Sequence, residues 1–395
     1  MNIMKKLCFF LALVSLATFS NSQSIVVDAD KTDWNEVPIL SEPGVFPYAK
    51  VAVVGESVFY MMELPAADAL TLKAYIDADR LASTGNTVWA YNLAGADNFV
   101  EADIFYSFSG TDQSAWSWAT TATTVTNGIN NNFGEVGLSN SGLSSSFRIA
   151  FDYNGNLFPA NSWDFANKNM FSVKPRTTVQ LGTSASLLSA NAFYHPFMID
   201  TDIDSYLDIQ ATYPGHNPLV WASWAIEVDQ AAVYDLKFTH KSADAGTVQF
   251  RLIDMATNQV TKTFPEVSYT ASADAFAEES LGQLDLTDVP TGKYMLKMNN
   301  NATWDVLLKV QKLTLTSTVT ANVSPMIWTN INLSTSSNSI ILQSDKACDM
   351  AIYTTAGVLL AERKNTNDSS VELKKGLYLV VISLDGQTKL QKILL

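Results

Sequence analysis

Residues that could do chemistry gather first in the stretch from Ala74 to Phe108, AYIDADRLASTGNTVWAYNLAGADNFVEADIFYSF. Asp77, Asp79, Thr84, Gly85 and Asn86 crowd oxygen atoms into one short turn. Clustered carboxylates and amide oxygens can cage a hard cation such as calcium, which takes six to eight oxygen ligands. The same residue types also fill solvated turns for backbone reasons alone. Both readings stand on sequence, with Asp77 and Asp79 as the candidate metal ligands and calcium as a structural cation.

A second set of candidates is aromatic. A sugar ring offers an apolar face of C–H groups, and Trp or Tyr offers a flat surface that can stack on it at low entropic cost. Trp89 and Tyr91 follow the acidic turn; Trp116 and Trp118 alternate in WSWAT; Tyr213 and Trp221 flank His216; Trp304 follows Asn299, Asn300 and Asn301. Asparagines and a turn histidine beside such rings could read hydroxyl groups, because ligand pockets combine apolar walls with a few placed polar groups. The ligand-binding candidates are therefore Trp89, Tyr91, Tyr213, His216, Trp221 and Trp304. Trp34, Trp163 and Trp224 alternate with apolar neighbours and are expected in cores.

No G-x-S-x-G, H-E-x-x-H, C-x-x-C or phosphate-cradling glycine loop is present. The expectation is a non-catalytic protein. The formal charge of −14 and the pI near 4.6 repel phosphate backbones and anionic lipid, so nucleic acid is not an expected partner. No segment after residue 22 is long and apolar enough for membrane insertion.

These residues need elements to position them. The chain has 395 residues, 47% of them hydrophobic, which is enough for packed cores in two or three domains. Short runs of alternating apolar residues recur between Gly, Asn, Asp and Ser turns, the pattern of an all-β protein. Tyr48 to Val54 and Val58 to Glu63 read as a hairpin around Gly55-Glu56-Ser57. Thr71 to Asp77 and Asn98 to Phe108 read as two further strands. Later strands are expected at Val233 to Phe238, Gln249 to Asp254, Leu284 to Val289, Lys293 to Met298, Val306 to Leu315 and Leu377 to Leu384.

Lys5 and Lys6 followed by the apolar run Leu7 to Phe19 and small residues at Ser20 and Ser22 read as a secretory signal, residues 1–22. Cleavage there would remove Cys8 and leave Cys348 alone, so no internal disulfide is expected. Cys348 opens an apolar strand and reads as a buried, unreactive thiol. The expected location is outside the cell or on its outer surface.

Three resemblances follow from motifs. D-x4-D-W from Asp28, Y-I-D-A-D-x4-T-G from Tyr75, G-A-D-N-F-V-E from Gly95, the W-x-W at Trp116 and Trp118, and the late Trp163 resemble the family 9 carbohydrate-binding-module fold and its DOMON-like relatives. The resemblance implies a two-sheet sandwich over residues 23–173, often with bound calcium. Asp77 and Asp79 match its acidic turn. Residues 174–315 carry W-A-I-E-V-x5-Y-D-L, L-D-L-x-D-V-P-x-G-K-Y-M-L and W-x4-K-V-x-K-L-T-L. They resemble galactose-binding-like jelly rolls such as family 6 and 35 carbohydrate-binding modules.

A Ser-, Thr- and Asn-rich stretch over residues 316–339 reads as a linker. Residues 340–395, with I-Y-x3-G, L-x2-G-L-Y-L-V and the terminal D-G-Q-T-K-L-Q-K-I-L, resemble the C-terminal sorting domain of type IX secretion. That resemblance implies secretion machinery as a partner. The expected architecture is thus two tandem jelly-roll or β-sandwich domains plus a small C-terminal β-sandwich. The expected function is glycan binding by stacking and hydrogen bonds. The alternative is a structural or adhesive surface protein that binds proteins.

Overall fold

The computed structural model describes residues 24–65, 70–88, 93–159, 170–194, 206–210, 221–272, 275–301, 307–318, 331–336, 338–354, 358–384 and 387–394. The chain is all-β, as its alternation predicts, and among the described residues the only helical turns are 3-10 turns at Thr32–Trp34 and Ser189–Asn191. No helix among them is long and apolar enough to cross a membrane. The chain divides into a large unit over residues 1–319 and a small unit over residues 320–395.

The large unit holds two sandwiches. In chain order the first contains β1 (Tyr48–Val54), β2 (Ser57–Glu63), β3 (Leu72–Asp77), β4 (Asn86–Val88), β5 (Leu93–Ala96), β6 (Asn98–Glu101), β7 (Ile104–Phe108), β8 (Trp118–Thr120), β9 (Thr124–Asn130), β10 (Phe133–Ser139), β11 (Phe147–Tyr153), β12 (Asn156–Phe158) and β13 (Phe171–Val173). One sheet runs β1-β2-β10-β9 and the other β12-β11-β3-β6-β7-β8, with β13 also on β11. Tyr60, Ile76, Val100, Phe105, Ile149 and Phe151 fill the space between them. The β1–β2 hairpin turns at Gly55-Glu56, with Gly55 at φ 60°, as expected from the sequence.

The stretch from Asn98 to Phe108 does not form the single strand expected. It folds back at Ala102-Asp103, with Ala102 at φ 53°, to give β6 and β7 as a tight hairpin. Ala at positive φ is uncommon, so Asp103 is the lone hint of the turn between the two apolar runs.

The second sandwich contains β14 (Val179–Gln180), β15 (Ser184–Leu188), β16 (Phe193–Tyr194), β17 (Leu207–Gln210), β18 (Trp221–Val228), β19 (Val233–Ser242), β20 (Gly246–Asp254), β21 (Val260–Thr263), β22 (Val267–Tyr269), β23 (Ala277–Asp285), β24 (Gly292–Asn300) and β25 (Leu307–Ser317). Its sheets run β14-β18-β24-β20-β21, with β16 on β18 and β22 on β20, and β15-β25-β19-β23, with β17 on β25. Trp224, Ile226, Leu236, Phe238, Phe250, Leu296 and Leu313 form its core, and the Trp224 Nε1–H donates to the Leu188 carbonyl at 2.9 Å. The strand expected at Leu284 to Val289 instead ends at Asp285, where Thr287 closes a turn on the Asp285 carboxylate.

The two sandwiches share a continuous apolar seam. Ile39, Leu40 and Tyr48 of the first pack in one cluster with Phe193, Trp221, Ala225, Ile253, Met255 and Met295 of the second. Two buried lysines pin this seam. Lys50 donates to the carbonyls of Trp34 and Met255, each at 2.9 Å, and Lys297 pairs with Glu42. Burial pushes the Lys50 ammonium down to about 8, against the pull of Glu63 and Asp254. Burial also lowers Lys297, which its Glu42 partner opposes.

In the small unit β26 (Ile331–Thr335), β27 (Ser339–Thr354), β29 (Leu377–Leu384) and β30 (Gln387–Leu394) form a sheet in that order, and β28 (Leu359–Glu372) also pairs with β27. The stretch expected as a linker therefore contributes a strand, Ile331–Thr335, because Ile331 and Leu333 pack on the core of this unit. Cys348 is buried there, its thiol donating to the Thr366 carbonyl, and burial raises its pKa.

Candidate ring face and acidic cluster

The outer face of the β12-to-β8 sheet carries both kinds of candidate chemistry. Strand alternation sends Ile76, Val100 and Phe105 inward and Tyr75, Phe99, Tyr106 and Phe108 outward. Register then lines the rings up: Ala150 faces Tyr75, Tyr75 faces Phe99, and Phe99 faces Tyr106. Tyr75 and Phe99 stack with centroids 4.9 Å apart at 23°, and Phe99 and Tyr106 at 5.7 Å and 26°. Cross-strand aromatic pairs of this kind stabilise the sheet as well as building a surface.

Two tryptophans finish the face. Trp118 on β8 lies opposite Phe108 and packs on Phe99 at 5.7 Å. Trp116, in the loop before β8, meets Trp118 at 5.7 Å and 73°, and Phe99 at 5.7 Å and 66°. Tyr75 and Phe99 are buried beneath; Tyr106, Phe108 and Trp118 are half-buried; Trp116 is 63% exposed. Trp116 thus offers an indole face to solvent at the edge of the ring cluster.

The acidic cluster lies in the neighbouring row of the same face. Asp77, at the end of β3, Asp79, in the turn, and Asp97, just before β6, each place a carboxylate oxygen within 4.8 Å of the others. Asp77 is fully buried, its Oδ2 meeting Arg148 at 3.3 Å and its Oδ1 without a hydrogen-bond partner. Burial pushes Asp77 up to about 6 despite Arg148, and burial also raises Asp97. An unpartnered buried carboxylate oxygen is costly. Calcium–oxygen distances near 2.4 Å put ligand oxygens on opposite sides of the ion about 4.8 Å apart. An all-oxygen donor set of this size fits calcium. Asp97 went unread in the sequence as a ligand because it lies across the sheet from Asp77, brought there by the β3–β6 pairing.

The loop between Asp77 and Asn86 is closely held. Asp79 accepts from Leu81 N and Thr84 Oγ1, and Asp97 Oδ2 accepts from Ala78 N at 2.9 Å. Gly85 at φ 63° passes so near Ala96 that a Cβ there would stand 2.5 Å from its carbonyl carbon. Gly95 at φ 83° is likewise pressed on Leu81, a Cβ standing 2.6 Å from its carbonyl oxygen. Only glycine combines that approach with that backbone.

The sequence candidates fall out unevenly. Trp89, Tyr91, Tyr213, His216 and Trp304 lie outside the described residues, as does Trp163. Asp77 and Asp79 are brought together, with Asp97 added. Trp221 does not form a stacking surface: it is 1% exposed, sits in the seam between the sandwiches and lies opposite Asn299 in register. The loop residues before it in sequence hid this, because β18 buries both its faces. Trp34 and Trp224 are core residues as expected, at 1% and 0% exposure.

No family model and no curated protein matches the chain. Solved structures resemble parts of it. A Podospora anserina β-(1,4)-mannanase with a family 35 carbohydrate-binding module is 17% identical, over 34% of this chain and 28% of that one, at a TM-score of 0.23. The Arthrobacter globiformis isomalto-dextranase complexed with panose is 12% identical, over 68% and 36%, at 0.27. A family two carbohydrate esterase from Cellvibrio japonicus is 12% identical, over 34% of each chain, at 0.21. This chain thus spans about a third of the length of each. The neighbours include enzymes that act on carbohydrates and one that carries a binding module, but at these TM-scores they carry no weight for the site.

Proposed function

We propose that the protein is a secreted or cell-surface carbohydrate-binding protein without catalytic activity, and that the outer ring face of its first sandwich takes the glycan. The observation that carries this reading is the rim of partly exposed rings, Tyr106, Trp118 and Trp116, the last 63% exposed, supported from beneath by the buried Tyr75–Phe99 stack. Flat rings present the surface on which a sugar's C–H face stacks. The fit of Asp77, Asp79 and Asp97 to a hard cation supports calcium as a staple of the same face. The resemblances of the first two domains to carbohydrate-binding modules agree with this reading, and that of the C-terminal segment to a sorting domain supports export and a partner in the secretion machinery.

One observation favours the adhesive alternative. Val358, Leu359 and Leu360 of the small unit are 58%, 48% and 45% exposed in one run, an apolar surface suited to protein.

The test is titration calorimetry of the purified protein against cellohexaose, xylohexaose, mannohexaose and isomaltohexaose, with calcium and with chelator. Saturable binding to at least one, lost on Trp118→Ala, is expected. No binding to any of them or to the parent polysaccharides, by a folded protein in calcium, would overturn the reading in favour of protein partners.

A further inference from the structure

The acidic loop and the tryptophan loop are joined chiefly through one residue. The Nε2 group of Gln113 donates to the carbonyls of Thr84 at 2.7 Å and Ala82 at 3.2 Å, both in the acidic loop. Its own carbonyl accepts from Thr87 N at 2.7 Å and from Asn86 Nδ2 at 2.9 Å. Asn86, itself buried, donates through the same amide nitrogen to the Ala115 carbonyl at 2.8 Å. The next residue is Trp116. On the other side, the Leu81 N–H donates to Asp79 Oδ1 at 2.8 Å, and the single hydroxyl proton of Thr84 is shared between the Asp79 carboxylate at 3.0 Å and the Leu81 carbonyl at 2.8 Å. An unbroken path of hydrogen bonds and short backbone segments therefore runs from a candidate cation ligand to the most exposed ring of the face among the described residues.

The tryptophan loop has little else to fix it to that side. Within itself it is closed by Ser114 on the Asp112 carboxylate and by Ser109 N on the Ser117 carbonyl. Those bonds shape the loop without tying it to the acidic turn. The acidic turn in turn has a strong reason to reorganise with its cation. Asp77 Oδ1 is buried and unpartnered, and three carboxylates lie together with one arginine among them. A divalent ion would draw Asp79 and Asp97 onto Asp77 and stiffen the segment that Gln113 grips.

We propose that Gln113 is the positioning residue through which cation occupancy at Asp77, Asp79 and Asp97 sets the Trp116–Trp118 surface. The inference rests on the glycan- and cation-binding reading above and adds a coupling to it. Coupling between two sites is a free energy shared by both, so the glycan should also tighten the cation.

The test uses the whole protein labelled with fluorotryptophan, with the Trp116 and Trp118 resonances assigned by Trp→Phe variants. Calcium is titrated calorimetrically into wild type, Gln113→Met, Asn86→Ala and Ser114→Ala, and the fluorine spectrum is followed. Gln113→Met keeps the side-chain volume and loses both donors. In wild type and Ser114→Ala, calcium should shift both resonances and tighten the best-binding hexasaccharide by about tenfold. Gln113→Met should bind calcium within about threefold of wild type, yet lose the shift of Trp116 and the gain in glycan affinity. Asn86→Ala cuts the two bonds from Asn86 Nδ2 to the Gln113 and Ala115 carbonyls, leaving only the Thr87 N–H on that side, and should weaken the Trp116 shift and the glycan gain, which keeps the test alive if Gln113→Met fails to fold.

Retention of the shift in both variants would overturn the coupling. So would loss of calcium affinity in step with it, which would mean that Gln113 merely holds the loop together, or a wild type that binds no calcium. If no hexasaccharide binds wild type, the glycan reading fails, while the fluorine shift still decides the coupling.

Discussion

Two outer sheet faces of the large unit carry tryptophan among the described residues, and they have opposite fates. The outer face of β18, β24 and β20 presents Trp221, Ala225, Met295 and Ile253, and the first sandwich covers it. The outer face of β3, β6, β7 and β8 presents Tyr75, Phe99, Tyr106 and Trp118, and its rim tryptophan stays 63% exposed. The covered face holds aliphatic side chains beside Trp221, and Lys297, whose ammonium reaches across the seam to Glu42, while Lys50 of the first sandwich reaches the other way to Met255 O. The ring face has Tyr75 and Phe99 at its centre, packed with Val88, Ala96, Ala150 and Met170, and is bordered on one side by the Lys73–Glu101 pair and on the other by the acidic cluster. Aliphatics interdigitate with a partner sheet, whereas at the edge of the ring cluster Trp116 stays in reach of solvent over the buried Tyr75 and Phe99. Tryptophan alone therefore says little; its cross-strand neighbours decide.

The largest effect should come from the covered face. Trp221→Ala removes a fully buried side chain from the seam and should cost about 3–5 kcal/mol, measured by guanidinium unfolding of the large unit. A cost below 1 kcal/mol would mean that the seam is loose and Trp221 dispensable. On the open face, Trp116→Ala should leave stability within about 0.5 kcal/mol but weaken glycan binding roughly thirtyfold, as loss of a hot-spot ring of ~2 kcal/mol does. Equal and small effects of the two substitutions on both readouts would erase the distinction between the faces.

A smaller, pH-dependent effect belongs to the seam. Burial lowers Lys50 in the folded state to about 8, from 10.5. Between those values the unfolded chain binds a proton that the folded chain does not, so stability rises with pH across that window. Below about pH 8 both states are protonated and the cost of burying the charge is fully present. Relative to Lys50→Met, the wild type should gain up to about 3 kcal/mol between pH 8 and 10.5. Parallel pH curves for the two proteins would show that the Lys50 ammonium is not paying for its burial.

Much of the fold is legible in the sequence. The β1–β2 hairpin and the strand Leu377–Leu384 follow from alternation and glycine turns, and Trp34 and Trp224 were identifiable as core by their apolar neighbours. The ring face is legible only in parts. Trp116 and Trp118 stand out in WSWAT, but Phe99 and Tyr106 meet only because the chain reverses at Ala102-Asp103, a turn with no glycine or asparagine to announce it. One unread turn thus separated the rings that the hairpin stacks. The acidic cluster was half visible for a similar reason: Asp77 and Asp79 are neighbours in sequence, while Asp97 joins them through strand pairing. Trp221 misled because proximity to loop residues is a poor guide when the opposing surface comes from a separate sandwich.

The most direct test of the contrast between the faces is oxidative footprinting of the indoles by mass spectrometry, with and without a saturating hexasaccharide in calcium. Trp116 should react readily in the free protein and be protected when the glycan binds, while Trp221 should stay unreactive throughout. Binding that leaves Trp116 as reactive as before, or a Trp221 that reacts in the folded protein and is shielded by glycan, would contradict the assignment of the open ring face as the binding surface.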